Sequence, residues 1–294
     1  MDTVVYQYIE QCLKDALGSS FDLLNVRALS GGCINAASAL DTTHGPFFVK
    51  WNKSAAADLF LREADGLKEL AKADSELIIP EVVLAKAPEN QFPGMLVTEY
   101  LEAASNRSEQ DEVLGRGLAQ LHKFTAEAFG FESDTYCGAT LQDNSHKTDW
   151  VAFYSENRLA HLLKMIREKR ELSATENSRY EQLLQKLPSI IGHNPAPALN
   201  HGDLWSGNYL YTNKGPALID PAIAYADREL DLALTTMFGG FSDSFWEAYQ
   251  ETYPLPADWQ SRNPVYMLYH YLNHYYLFGG GYGTQALQIA NRYL

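Results

Sequence analysis

Asn200-His201-Gly202-Asp203-Leu204-Trp205-Ser206-Gly207-Asn208, followed twelve residues later by Asp220, is the stretch on which the reading of this chain turns. The carboxylate at Asp203 and the amide at Asn208 reproduce the D-x-x-x-x-N spacing in which the acid receives a substrate hydroxyl proton and the amide holds a metal ion. Asp220 offers a second oxygen ligand on a short side chain, the donor type that Mg2+ and its bound phosphates select. Taken alone, Asp and Asn beside glycines are turn residues. Here an apolar pair, Ala198 and Leu199, precedes the loop, and His201 stands two residues before Asp203. Residues 209–212 and 217–219 then read as two short strands joined at Asn213-Lys214-Gly215, a hairpin that returns Asp220 to the side of Asn208. The constellation predicts phosphoryl transfer from ATP, with Asn208 and Asp220 as the Mg2+ ligands and Asp203 as the catalytic carboxylate.

Upstream, an amphipathic helix over 4–17 leads into strands at 23–29 and 36–41, which flank Ser30-Gly31-Gly32-Cys33-Ile34-Asn35. Glycines in such a turn let backbone N–H groups approach phosphate oxygens. Gly31, Gly32 and Cys33 are thus candidate nucleotide contacts, although an ordinary hairpin has the same pattern. The apolar strand at 46–51 carries Lys50 near its end, where a kinase fold keeps the cation that pairs with the α- and β-phosphates. No G-x-x-x-x-G-K-[ST] run occurs, which excludes a Walker-type site. A helix from Ser54, read as its N-cap, to about residue 73 places Phe60, Leu67 and Leu70 on one stripe shared by Glu63. A carboxylate facing the core is costly without a cation, so a Lys50–Glu63 ion pair is expected. The alternative puts Glu63 at the stripe's edge beside Arg62 or Lys68.

Strands are expected at 80–87 and 94–101. The polar, aperiodic run that follows sets a hinge at about 99–104, between a nucleotide-binding lobe at 1–101 and a catalytic and substrate-binding lobe at 102–294. In a kinase-like fold the backbone of Glu99 and Leu101 would meet adenine, an assignment made by position alone. The second lobe reads as mainly helical, at 111–126, 149–169, 175–191, from Asp227 onward, and at 266–278. His122 reads as a satisfied core histidine, and Asp231 either as a first-turn acid or as an anchor for the loop at 200–208.

A length of 294 residues and an apolar content of 46% support a sizeable core. The formal charge of −14 argues against a nucleic-acid partner and suits cationic substrates as well as solubility. No run approaches a membrane span and no basic-then-apolar leader is present, so no membrane association and a cytoplasmic location are expected. The three cysteines, Cys12, Cys33 and Cys137, lack close pairing, suit a reducing compartment and offer no zinc spacing.

With these residues assembled, the chain resembles the fructosamine kinase family, or ketosamine 3-kinases, in the aminoglycoside-phosphotransferase-like branch of the protein-kinase-like superfamily. The resemblance rests on His201-Gly202-Asp203-Leu204-Trp205-Ser206-Gly207-Asn208, with Gly31-Gly32-Cys33-Ile34, Phe48-Val49-Lys50, Met237-Phe238-Gly239-Gly240-Phe241 and Tyr271-Leu272-Asn273-His274 in support. It implies an α+β, two-lobed fold, with a small antiparallel sheet and one main helix before a mostly helical lobe. It also implies ATP and Mg2+ as cofactors. The implied acceptor is the 3-hydroxyl of a ketosamine such as ribulosamine or fructosamine, free or as a protein-bound sugar adduct, in a deglycation role. Trp205 and His274 are the candidate acceptor contacts; Trp205 either stacks on the substrate or packs the loop against the C-terminal helix. Gly202 stands where protein kinases carry arginine, and no activation segment follows Asp220, which favours a small-molecule acceptor. Kinases of an aminoglycoside, choline or another amino alcohol, and a nucleotide-binding regulator without catalysis, are the competing readings. A monomer or homodimer is expected.

Overall fold

A computed structural model of the chain describes residues 2–29, 35–104 and 110–294. Five strands, β1 (Leu23–Leu29), β2 (Ala36–Thr42), β3 (Gly45–Asn52), β4 (Val82–Lys86) and β5 (Gly94–Glu99), form one antiparallel sheet in the order β1-β2-β3-β5-β4. Alternation along β3 and β5 decides which side chain faces which helix. Val49, Met95 and Val97 join the core under α1 (Thr3–Leu17), with Val5, Ile9 and Leu13. Leu96 points the other way, into the cluster of Leu59, Phe60, Ala64 and Leu67 on α2 (Leu59–Leu70), and Lys50 is paired with Leu96 across the strands. Lys50 therefore faces α2.

The helix expected from Ser54 begins later. The Ser54 N–H is taken by Asn52 Oδ1 at 2.8 Å, a local turn that competes with helix, and Asp58 stands at the N-cap position. Next, α3 (Gln110–Leu121) ends before residue 126, because Lys123 and Phe124 tighten into i→i−3 bonds and the Phe124 carbonyl accepts from Leu199. A short hairpin, β6 (Thr135–Cys137) and β7 (Thr140–Gln142), follows. The span 149–169 is one continuous rod of α4 (Trp150–Ala152), a π-helix (Phe153–Ala160) and α5 (His161–Lys169), followed by α6 (Ala174–Ile191). Ser173 and Glu176 form a capping box on α6, and Gly192 ends it at a positive φ.

Two small antiparallel ladders carry the loop at residues 200–208. They are β8 (Ala198–Asn200) with β11 (Ala224–Ala226), and β9 (Tyr209–Thr212) with β10 (Gly215–Leu218). The rest is helical: α7 (Arg228–Met237), α8 (Asp243–Thr252), α9 (Trp259–Phe278) and α10 (Tyr282–Arg292). Trp150, Phe153, Tyr154, Leu187, Tyr266 and Leu272 lie in one large core between the π-helical rod, α6 and α9. A second core joins α3 and α8 to Leu199, Leu204 and Leu218 beneath the two ladders. The α3–α8 approach requires Gly115, where a Cβ would strike the Phe245 backbone. This is the expected α+β arrangement of an antiparallel sheet followed by a mostly helical body. Among the described residues no helix is long and apolar enough to cross a membrane.

Candidate active site

The loop leaves β8 through Asn200 and is fastened by Asp231 on α7. The Asp231 carboxylate accepts from His201 N (2.6 Å) and Gly202 N (2.7 Å) and meets His122 Nε2 at 3.3 Å. Burial alone would raise this carboxyl, but His122, His201 and the Gly202 N–H outweigh it and hold it below the ordinary value. Asp231 is thus the loop's anchor. His122 is the satisfied core histidine, with its Nδ1 against Tyr249 Oη at 2.8 Å. Gly202 has φ +82, and a Cβ there would run into the Ala222 carbonyl, so glycine is demanded on two counts.

His201 is fully buried, and burial lowers its pKa. It donates from Nε2 to the Ile219 carbonyl (2.9 Å), which leaves Nδ1 to accept from Asp203 N (3.3 Å). Asn208 Nδ2 donates to the Asp203 carbonyl (2.8 Å) and to its Oδ2 (3.0 Å). Burial drives the Asp203 carboxyl up to about 7, Asn208 pulls it down, the nearby Asp220 charge raises it, and a hydrogen bond with the Cys137 thiol opposes the rise.

Asp220 has φ +55, an uncommon backbone for a residue with a side chain. Its neighbours hold it there, since Ile219 N donates to Asn208 O (3.0 Å) and Ala222 N to His201 O (2.8 Å). Lys50 Nζ donates to Asp220 Oδ1 at 2.8 Å and forms an ion pair with Glu63. Burial disfavours the Lys50 charge, yet the two carboxylates raise its pKa above the ordinary lysine value. Glu63 rises to about 7, chiefly by burial, with Lys50 opposing. Although 49% of the Asp220 side chain is open to solvent, the protein around its carboxylate desolvates it, and the Lys50 charge overrules that to leave it below the usual range.

The predicted residues thus converge from distant parts of the chain, Lys50 from β3, Glu63 from α2, and Asp203, Asn208 and Asp220 from the two ladders. The donor set fits a hard cation: Asn208 spends its Nδ2 on Asp203 and keeps an amide oxygen, and Asp220 keeps its second carboxylate oxygen beyond the one bound to Lys50. Trp205 is 39% exposed, lies over Gly207, and meets Phe238 edge-on at 6.4 Å; Phe238 meets His274 at 5.3 Å. Trp205 and His274 therefore share one aromatic surface beside the loop. Glu99 ends β5, with its N–H given to Glu81 O, and Leu101 lines a cavity of about 490 Å3 with Tyr100, Pro46 and Thr212. Gly31, Gly32 and Cys33 lie outside the described residues.

Sequence reasoning quoted Phe238 and Asn273 within family-like segments but gave them no role, and it missed the setting of Cys137. Asn273 Nδ2 donates to Cys137 Sγ (3.2 Å) and O (3.4 Å), and Cys137 sits against Asp203. Strands of three residues carry too little periodicity to be read, so nothing in the sequence brought Cys137 to the loop.

The fructosamine kinase family model matches residues 5–294. A "Protein-ribulosamine 3-kinase, chloroplastic" of Arabidopsis thaliana is 38% identical, over 94% of this chain and 85% of its own. A "Probable ketoamine kinase" of Vibrio parahaemolyticus is 35% identical, over 98% of this chain and 99% of its own. A crystal structure from Haemophilus somnus 129PT, assigned as a fructosamine-3-kinase, superposes with a TM-score of 0.87 at 27% identity, covering 99% of this chain and 100% of that one. An aminoglycoside phosphotransferase in ternary complex with AMP-PNP and hygromycin B shares the fold, with a TM-score of 0.66 at 17% identity and coverage of 96% and 98%.

Proposed function

The chain belongs to the fructosamine kinase family, and from that premise we propose that it transfers the γ-phosphoryl group of ATP to the 3-hydroxyl of a ketosamine, a ribulosamine or fructosamine. The arrangement of Asp203 and Asn208 beside the Lys50–Glu63–Asp220 cluster carries the reading. Lys50 binds the α- and β-phosphates, and Glu63 keeps its ammonium charged and aimed. Asn208 and Asp220 hold Mg2+, which when bound neutralises phosphate charge. Asp203 orients the acceptor hydroxyl and receives its proton, and the Asn208 bond to Oδ2 fixes the carboxylate's orientation. Gly31, Gly32 and Cys33 cover the phosphates, the backbone of Glu99 and Leu101 meets adenine, and the lobes divide at residues 101 and 102.

Trp205 and His274 form the acceptor platform. An aromatic surface with one edge in solvent suits a sugar linked to an amine, and leaves room for an adduct on a protein. Phosphorylation at the 3-hydroxyl destabilises such an adduct, which gives the enzyme a deglycation role. The proposed setting is the cytoplasm, a reducing compartment that suits the free thiols of Cys12 and Cys137.

ATP turnover on free ribulosamine, fructosamine and erythrulosamine, followed by coupled ADP release and with the phosphate position fixed by NMR, tests the reading. Activity on aminoglycosides or choline with none on ketosamines would overturn it.

A further inference from the structure

The β6–β7 hairpin lies outside the loop, the lysine strand and α2, yet it touches the parts that must be aligned. Its side chains alternate. Thr135 and Cys137 are buried toward the catalytic loop, and Tyr136 between them faces α2. On the catalytic side, Thr135 Oγ1 donates to the Ile223 carbonyl at 3.2 Å, three residues past Asp220, and Cys137 meets Asn273 and Asp203. Thr140 Oγ1 donates to Asn273 Oδ1, and Gln142 Nε2 to Tyr269 Oη at 2.7 Å. That face is therefore tied to α9 and to the segment after Asp220.

On the opposite face the Tyr136 ring packs on the cluster of Phe60, Ala64 and Leu67, and its hydroxyl donates to Asp58 Oδ1 at 2.7 Å. Burial and Asp58 push the phenol up to about 12, so it remains a donor, and the Tyr136 bond is the first cause holding Asp58 below the ordinary carboxylate range. Asp58 stands at the N-cap position of α2 and makes no capping bond of its own. Glu63 follows five residues later, about 7.5 Å along the helix at roughly 1.5 Å per residue. The other end of α2 is held by Tyr225 Oη on Glu69 Oε1 (2.9 Å), and Gly66 faces Pro221 and Ile223, which a Cβ there would meet at van der Waals distance. Tyr136 is the pin at the end where the helix meets the loop from β3.

We propose that the β6–β7 hairpin holds α2 where Glu63 meets Lys50, and that Tyr136 is a positioning residue for ATP binding although it touches neither side chain. A chain with no activation segment keeps its lysine–glutamate pair assembled by this fixed strap. The proposal rests on the reading of Lys50 and Glu63 as the phosphate-binding pair.

The test is a double-mutant cycle of Tyr136→Phe and Glu63→Gln in the full chain, read by ADP release with ATP and ketosamine varied separately. Tyr136→Phe keeps the ring and removes only the hydroxyl. It is expected to raise KM for ATP about fivefold to tenfold, with KM for the acceptor within about twofold and melting within about 4 °C of the parent. Asp58→Ala, which also removes the Arg62 Nε–Asp58 Oδ2 contact (3.0 Å), should raise KM for ATP at least as much. The double variant should be no worse than Glu63→Gln alone, because both act on one ion pair. Unchanged KM for ATP in Tyr136→Phe, beside an impaired Glu63→Gln enzyme, would overturn the proposal, as would effects that multiply. A Glu63→Gln enzyme with parental KM for ATP would overturn the lysine reading and this proposal with it.

Discussion

Replacing Asp231 with asparagine tests whether the loop is held by a buried charge. The aspartate accepts from His201 N and Gly202 N and meets the buried His122 with the same two oxygens. Asparagine keeps one acceptor and turns an NH2 toward an N–H donor. One charge-assisted bond is lost, worth about 1.5–3 kcal/mol, and a buried donor is left unsatisfied at about 1–3 kcal/mol more. The sum agrees with the roughly 3–5 kcal/mol typical of breaking a buried ionic contact. At about 2–4 °C per kcal/mol for a chain of this size class, the melting temperature should fall by roughly 6–20 °C. Because the same bonds set where Asp203 points, turnover measured well below the melting point should also fall by at least about tenfold. Thermal melts by circular dichroism and steady-state ADP release read the two effects. An Asp231→Asn protein that melts within about 2 °C of the parent and keeps its turnover would refute the reasoning.

Asp203→Asn keeps the loop's shape and removes the proposed proton acceptor, so kcat in the ADP-release assay should drop by about 100- to 10,000-fold while ATP still protects against melting; near-parental turnover would remove Asp203 from its role. Gly202→Ala places a side chain at φ +82 against the Ala222 carbonyl, so a loss of more than about 3 kcal/mol is expected in denaturant melts. His193 donates from Nε2 to Asp227 Oδ2 at 2.7 Å, with Glu229 3.9 Å away, and Arg262 and Tyr266 bind the same two carboxylates. Burial lowers the His193 pKa, but Asp227 and Glu229 leave it raised above 6.5. Its stabilisation is therefore complete below that value and is lost as pH rises through the folded one. The melting-temperature gap between the parent and His193→Gln should be widest near pH 5.5 and close toward pH 9, and a gap that widens with pH would contradict this.

Much of the site could be read from residue type and spacing, because its chemistry is local. Asp203 and Asn208 lie within one loop, and a hairpin returns Asp220 to them, so contact between these groups follows from turn and strand signals. Lys50 and Glu63 were legible for a different reason. Strand alternation put Lys50 on one face, and a carboxylate on the apolar stripe of α2 required a cation. The start of α2 at Leu59 was not legible, since an Asn52–Ser54 turn outcompetes the N-cap signal at Ser54.

Periodicity, turn chemistry and short-range spacing in the chain alone placed the five strands before residue 102, most of the helices after it, and Asp203, Asn208 and Asp220 as the proposed phosphate-transfer residues. The fold class and the weight of Leu204-Trp205-Ser206-Gly207 came from resemblance to a family. Only the tertiary structure decided that Asp231 anchors the loop, that Trp205 reaches His274 through Phe238, and that Tyr136 and Cys137 on a hairpin of two three-residue strands stand between α2 and Asp203. These contacts join residues tens of positions apart, some more than sixty. They are made by single side chains whose partners are selected by packing, and packing has no period that a sequence displays.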